Sequence, residues 1–248
     1  MCGGVLVGVD DNNRGNNGLI MIISHESPEY ITKWNAMHPE GRNNGAYYYS
    51  KEIVKNIIPR IKTDYNWTTI NIGKSMDHSI VFIHYNFNPL ENYAYLLPYN
   101  DLILVCGLES TAKEMRKKFK KVIYLPLSVD VEEVARHRRT SHWREYAFCG
   151  RYSKVEPYRD RLHDGTKIIC GKDRPEMLDE MSKYKYIYGV GRVALEAKIL
   201  GCEVLPYDDR FPDPSIWKVL DNKDAAEILQ KELDKITKGR KHETQENN

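Results

Sequence analysis

Short apolar runs alternate with amphipathic stretches along the first half of the chain. Continuous apolar runs predict strands buried in a parallel sheet, and the segments between them carry helical spacing or turn residues. The predicted strands are 19–23, 67–72, 79–83, 102–106 and 122–125, with helices from about 45 to 61 and from 110 to 121. Strands that alternate with helices indicate a parallel α/β fold.

The second half repeats this rhythm after a charged linker. Its predicted strands are 146–149, 167–170, 186–188 and 203–205, and its predicted helices are 175–183, 192–200 and 224–236. Two such halves predict an α/β fold of two Rossmann-like domains with a cleft between them. The predicted organisation is a flexible lead (1–18), an N-terminal domain (19–130), a linker (131–144), a C-terminal domain (145–238) and a disordered polar tail (239–248).

Composition sets broad limits on the class of protein. With 248 residues, of which 41% are hydrophobic and 29% charged, the chain can bury a sizeable core. No window reaches the roughly 20 apolar residues of a membrane span, and no signal-peptide pattern opens the chain, so we expect a cytoplasmic protein without a membrane span. The five cysteines include no Cys-x-x-Cys pair, which favours buried thiols over zinc sites or disulfides.

One stretch, residues 186–207, has the clearest order of local signals. A short run ending at Tyr188 predicts a strand, and Gly189 and Gly191 break it before a helical run. Gly201 is the residue type that usually follows a helix, and an apolar run then restarts a strand. Helical spacing places Arg192 and Glu196 together between two apolar sides, so Glu196 is expected to point into a partly apolar cleft.

A carboxylate in such a cleft needs a partner, because burying a lone charge is costly. Two interpretations of Arg192 and Glu196 stay open. In the first they form an intrahelical ion pair, worth a few tenths of a kcal/mol. In the second the glycine turn, the helix N-terminus and Arg192 bind a phosphate, while Glu196 accepts hydrogen bonds from ribose hydroxyls.

The same stretch resembles the nucleotide-sugar motif of GT-B glycosyltransferases, particularly the retaining enzymes of the large family four. In that family a glycine loop leads into a helix with a Leu-Glu-Ala pattern, followed by Gly-x-x-Val; this chain has Leu195-Glu196-Ala197 and Gly201 to Val204. The resemblance implies that Glu196 binds the ribose of the donor. The family often has a second glutamate eight residues earlier, where this chain has Tyr188.

The resemblance also implies a set of donor-binding residues elsewhere in the second half. Gly150-Arg151, directly after a predicted strand, resembles the turn in which an arginine and a later lysine bind the donor diphosphate, and Lys154 is the candidate second cation. Gly171 is expected in a loop near the nucleotide base. The alternative interpretation of these residues is a surface turn with solvated charges.

The resemblance also implies that two residues of the first half contribute to the binding site. Gly45, at a predicted helix start, resembles the glycine loop that faces the donor phosphates and the acceptor in GT-B enzymes. His84 directly follows a predicted strand, at the edge where α/β sheets bind ligands, and the resemblance implies contact with the transferred sugar. A lone histidine is more often structural, and that interpretation stays open.

These residues together predict a metal-independent hexosyltransferase. The sequence has no Asp-x-Asp motif of the metal-dependent GT-A enzymes, and we expect no cofactor besides the donor, most simply a UDP-sugar. The predicted catalytic residues are His84, Arg151 and Lys154. Arg151 and Lys154, together with the helix dipole, would stabilise the negative charge that develops on the departing nucleoside diphosphate.

The acceptor and the rival functions stay open at this stage. Basic clusters at 113–121 and 136–144, the second with Trp143, are either solvated surfaces or a track for a phosphate backbone. The compact chain resembles small phage transferases that add sugars to modified DNA bases, so the acceptor is either DNA or a saccharide. The alternative is a nucleotide-sugar binding module without transfer activity. A dinucleotide oxidoreductase is disfavoured because no Gly-x-Gly-x-x-Gly follows a strand.

Overall fold

The computed structural model of the protein describes residues 5–6, 21–23, 52–67, 77–83, 89–150 and 152–245. The chain divides into two compact units. Unit 1 comprises 1–28, 53–126 and 223–248, and unit 2 comprises 29–52 and 127–222. Both units are α/β with parallel sheets, as the sequence predicted. The predicted cleft between two domains stays a prediction.

Unit 1 is built on a six-stranded sheet within the described residues. Its strands are β1 (Val5–Leu6), β2 (Met21–Ile23), β3 (Asn66–Trp67), β4 (Ser79–Ile83), β5 (Leu102–Cys106) and β6 (Val122–Tyr124). The order is β1-β2-β4-β5-β6, with β3 beside β4, and only β1 runs antiparallel to its neighbour. Every residue of β4 and β5 is buried, as continuous apolar runs predict for a sheet covered on both faces.

The helical segments of unit 1 cover this sheet. They are a π-helical turn Ile53–Ile57, 3-10 turns Ile58–Arg60 and Ala94–Leu96, and helices α1 (Pro89–Asn92) and α2 (Glu109–Met115). Ala112, Met115 and Phe119 pack on the apolar side chains of β4 and β5. The predicted helix 110–121 is therefore shorter, because a turn at Arg116 to Lys118 ends it.

Unit 2 has a four-stranded parallel sheet. Its strands are β7 (Arg144–Cys149), β8 (Lys167–Ile169), β9 (Tyr184–Tyr188) and β10 (Glu203–Leu205), in the order β8-β7-β9-β10. The chain goes from β7 to β8 on one side and then crosses to β9 on the other side of β7. This reversal makes a topological switch point at the carboxyl ends of β7 and β9, where open α/β sheets bind their ligands.

The helices of unit 2 follow its strands. They are α3 (Val131–Ala135), α4 (Tyr152–Val155), α5 (Arg174–Met181) and α6 (Arg192–Ile199), with 3-10 segments Glu156–Arg161 and Pro214–Ile216. A last helix, α7 (Asn222–Gln245), begins at the final residue of unit 2 and continues through unit 1, where Ala225, Ala226, Leu229 and Leu233 are buried.

Glu52 and residues 127–130, predicted in the N-terminal domain, group with unit 2, and four other predicted bounds also differ from the structure. Val5–Leu6, inside the predicted flexible lead, pair with β2. The predicted linker 131–144 contains α3, capped by the Asp130 side chain, and belongs to unit 2. Residues 223–238, predicted in the C-terminal domain, group with unit 1. The predicted disordered tail is helical up to Gln245, because it is rich in Lys, Glu and Gln, which favour helix.

Candidate functional site

The candidate site lies at the carboxyl edge of the unit 2 sheet. The predicted substrate-binding glycines Gly150, Gly171 and Gly191 follow β7, β8 and β9, so the sheet brings all three to the same edge. Lys154 is exposed on α4, the helix that follows β7. The predicted residues Gly45, His84 and Arg151 lie outside the described residues, and their roles stay predictions.

The turn between β9 and α6 depends on two glycines. Gly191 has φ 63° and ψ −131°, a conformation that side chains with a Cβ rarely adopt. A Cβ added at Gly189 would lie 2.6 Å from Cγ1 of Val193, on the first turn of α6. The glycines therefore let the chain enter α6 tightly, and Arg192 becomes its first helical residue.

We expect Gly189→Ala to lower the free energy of unfolding by about 1–3 kcal/mol, because the added methyl group overpacks against Val193. Urea unfolding measures the loss. The double variant Gly189→Ala/Val193→Ala removes the opposing methyl group and should recover most of it. Val193→Ala alone is the reference. If Gly189→Ala lowers the free energy of unfolding as much in the Val193→Ala background as in the unaltered protein, the contact is not the cause.

Arg192 and Glu196 form a buried ion pair. Nε of Arg192 donates to Oε1 of Glu196 at 2.7 Å, and the two residues are only 4% and 1% exposed. Arg174, the first residue of α5, places its Nη2 3.3 Å from the same oxygen. The intrahelical pair that the sequence offered as one alternative is therefore present, with a second arginine added to it. Ribose binding by Glu196 stays a prediction, and it requires the carboxylate to exchange an arginine for ribose hydroxyls.

A second glutamate, Glu52, completes the group. Its Oε1 accepts from Nη1 of Arg174 at 2.6 Å and from Nη2 of Arg192. Its Oε2 accepts from the backbone N–H of Asp130 at 3.0 Å and from Nδ2 of Asn222 at 2.8 Å. We call Glu52, Arg174, Arg192 and Glu196 the buried charge cluster; two positive charges face two negative ones away from solvent.

Burial is the largest influence on the pKa of Glu196. It raises the pKa of Glu196 to about 7, and the charge of Arg174 only partly offsets the effect. Burial also raises the pKa of the Cys149 thiol, at the end of β7, and the nearby charge of Glu196 adds to that shift. The Glu196 carboxyl group can therefore exchange a proton near neutral pH.

Tyr188, which stands where the family often has a glutamate, is 2% exposed at the end of β9. Its hydroxyl group hydrogen-bonds with Nδ1 of His163 and accepts from the His163 backbone N–H at 3.3 Å. The His163 ring stacks on Tyr146 with the ring centroids 4.0 Å apart. The hydroxyl of Tyr188 is thus committed to an internal contact, and it cannot replace a carboxylate in charge.

A second charged group, formed by Asp208 and Arg210, follows β10 at this edge of the sheet. Lys154 lies close enough to affect the charge of Asp208. The Asp208 carboxylate accepts two hydrogen bonds from the Arg210 guanidinium, at 2.8 Å from Nε and 2.6 Å from Nη2. Burial opposes ionisation of Asp208, but Arg210 and the charge of Lys154 hold its pKa below the usual value. A cation at Lys154 is thus within electrostatic range of a buried carboxylate at the candidate site.

The basic cluster at 136–144 lies at the other edge of the sheet. Trp143 is 57% exposed, with the Arg139 guanidinium 5.0 Å from its ring centroid. Trp143 precedes β7 whereas Gly150 follows it, which separates them by about 20 Å along the strand. Several members of this cluster have internal partners: Arg144 donates to the Tyr184 hydroxyl at 2.8 Å, and Nε of Arg139 donates to the Ser182 hydroxyl at 2.9 Å. This cluster therefore does not extend the candidate site.

Glu52, Arg174 and Asn222 were not among the predicted site residues. Arg174 had a usable signal, because Asp173-Arg174-Pro175 after Gly171 is a helix start that follows a strand, like Gly191-Arg192. Glu52 had none, since it lies 122 and 140 residues from the arginines that it contacts.

Within the described part of the chain, no group of three or more His, Cys, Asp or Glu side chains is placed to hold a metal ion, and none of the helices is long and apolar enough to cross a membrane. No protein-family model matches the chain, and no curated protein sequence matches it significantly.

Proposed function

We propose that unit 2 binds a nucleoside diphosphate sugar, most simply a UDP-sugar, and that the protein is a glycosyltransferase acting on a hydroxyl acceptor. One observation carries the proposal: two arginines, each the first residue of a helix after β8 or β9, converge on one carboxylate at the switch point of a parallel sheet. Guanidinium pairs at such helix starts suit a diphosphate.

In this proposal the charged groups at the edge act electrostatically. Arg174 and Arg192 bind the diphosphate, and Lys154 and Arg151 stabilise the charge that develops on the departing nucleoside diphosphate. His84 contacts the transferred sugar, and Gly150, Gly171 and Gly191 let the backbone approach the ligand. The acceptor is a saccharide or a hydroxylated DNA base; exposed Trp143 lies at the other sheet edge and does not favour DNA.

A nucleotide-sugar binding module is the second candidate. Tyr188 favours it, because its hydroxyl hydrogen-bonds to His163 at the position where the family often has a glutamate that contacts the donor sugar. The two candidates share the ligand and differ only in turnover.

The test is to incubate the protein with UDP-, GDP-, ADP- and dTDP-glucose and to measure nucleoside diphosphate release by mass spectrometry. We expect release from one donor, reduced about tenfold or more by Lys154→Met, because one cation at the leaving group is lost. Lys62→Met, at an exposed lysine of unit 1 outside both basic clusters, is the control and should keep full activity. Donor binding without release identifies the binding module. No binding of any donor contradicts both candidates.

A further inference from the structure

The Glu52 carboxylate is surrounded by hydrogen-bond donors. Both oxygens are used: one by the guanidinium groups of Arg174 and Arg192, the other by the Asp130 N–H and the Asn222 amide. Glu52 itself is 7% exposed. Four hydrogen-bond donors therefore surround this one carboxylate.

The same donors fit a phosphate group. Guanidinium forks, a backbone N–H and a side-chain amide are the groups that proteins use to bind phosphate oxygens. Arg174 and Arg192 also stand at the first residues of eight-residue helices, beside the switch point of the sheet. Glu52 therefore occupies the place that an anionic ligand fits at this edge.

The charge balance of the site indicates whether a phosphate would bind beside Glu52 or would take its place. The buried charge cluster has two guanidinium groups and two carboxyl groups, so its formal charge is zero when both carboxyl groups are ionised. Adding a phosphate beside Glu52 would bury excess negative charge, which is costly. Exchanging Glu52 for the phosphate keeps at least one anionic partner on each arginine.

We propose that Glu52 is a built-in competitor: its carboxylate holds the anion site formed by Arg174 and Arg192, and a phosphate or diphosphate group binds there by displacing it. The identification of the ligand as a diphosphate rests on the proposed function. A competitor on the same chain lowers the apparent affinity for the ligand. That affinity equals the intrinsic affinity multiplied by the fraction of molecules in which the competitor has left the site. Glu52 thus sets the ligand concentration at which the site fills.

The experiment titrates pyrophosphate, and separately UDP, into the full chain at constant ionic strength, with calorimetric detection. We expect Glu52→Gln to bind pyrophosphate about tenfold or more tightly than the unaltered protein, because the competing charge is gone. Glu132→Gln removes the same charge from an exposed glutamate of α3 and should match the unaltered protein. Glu52→Asp keeps a carboxylate on a shorter side chain and should show a smaller gain in pyrophosphate affinity. It replaces Glu52→Gln in the comparison if that variant does not fold.

The outcomes separate this inference from the proposed function. Equal pyrophosphate affinity in the unaltered protein and in the folded Glu52 variants, or no binding to any of them, overturns the inference. If UDP nonetheless binds the unaltered protein, the proposed function survives without it. A gain for pyrophosphate in the Glu52 variants with no binding or turnover of any nucleotide sugar supports the inference and contradicts the proposed function.

Discussion

Replacing Arg192 by methionine is expected to lower the free energy of unfolding by about 3–5 kcal/mol at pH 8, because the change leaves two buried carboxylates sharing one arginine. Glu52 and Glu196 would both keep only Arg174 as a cationic partner among the members of the cluster. Methionine preserves much of the side-chain volume, so the loss measures charge rather than packing. Denaturant unfolding measures it.

Arg136→Met is the matched control for Arg192→Met. Arg136 also makes an i,i+4 pair with a glutamate, but its side chain is 71% exposed, so its replacement should lower the stability far less than that of Arg192. Similar losses in both variants would mean that the buried charge cluster contributes no more to stability than a surface ion pair.

The second large effect concerns pH. Burial raises the pKa of Glu196 from 4.5 to about 7, despite the charge of Arg174, so between these values the folded protein binds more protons than the unfolded chain. Stability must then fall as the pH rises through this window. We expect the free energy of unfolding to fall by up to about 3 kcal/mol between pH 4.5 and 8 from this group alone.

Glu196→Gln isolates this contribution, since glutamine has a similar shape and does not titrate. The difference in unfolding free energy between the unaltered protein and this variant should decrease from pH 4.5 to 8. A difference that is flat or increases with pH would show that Arg174 and Arg192 hold Glu196 ionised throughout. Urea unfolding at half-unit pH steps distinguishes these results.

Local patterns in the sequence predicted much of the two sheets. The bounds of β4 and β5 agree residue by residue with the apolar runs, because strands buried on both faces need continuous apolar sequence. Gly201, with φ 86°, follows α6 as predicted. Lys198 on α6 donates to the carbonyl oxygens of Pro214 and Trp217, a contact that helical spacing cannot reveal.

The contacts that define the candidate site are less local. Arg192 and Glu196 were paired correctly by their spacing of four residues, but that spacing does not tell a surface pair from a buried one. Glu52 and Asn222 contribute through contacts between distant parts of the chain. The grouping of 223–245 with unit 1 has the same origin: it depends on contacts with distant residues, such as the hydrogen bonds between Lys62 and Gln230, which the amphipathic pattern of α7 does not reveal.

A structure determined with UDP tests most directly whether an anionic nucleotide binds at the carboxyl edge of the unit 2 sheet. We predict that the diphosphate lies within hydrogen-bonding distance of Arg174 and Arg192, with Glu52 displaced from them. A nucleotide bound elsewhere, with Glu52 still on both arginines, would contradict this prediction.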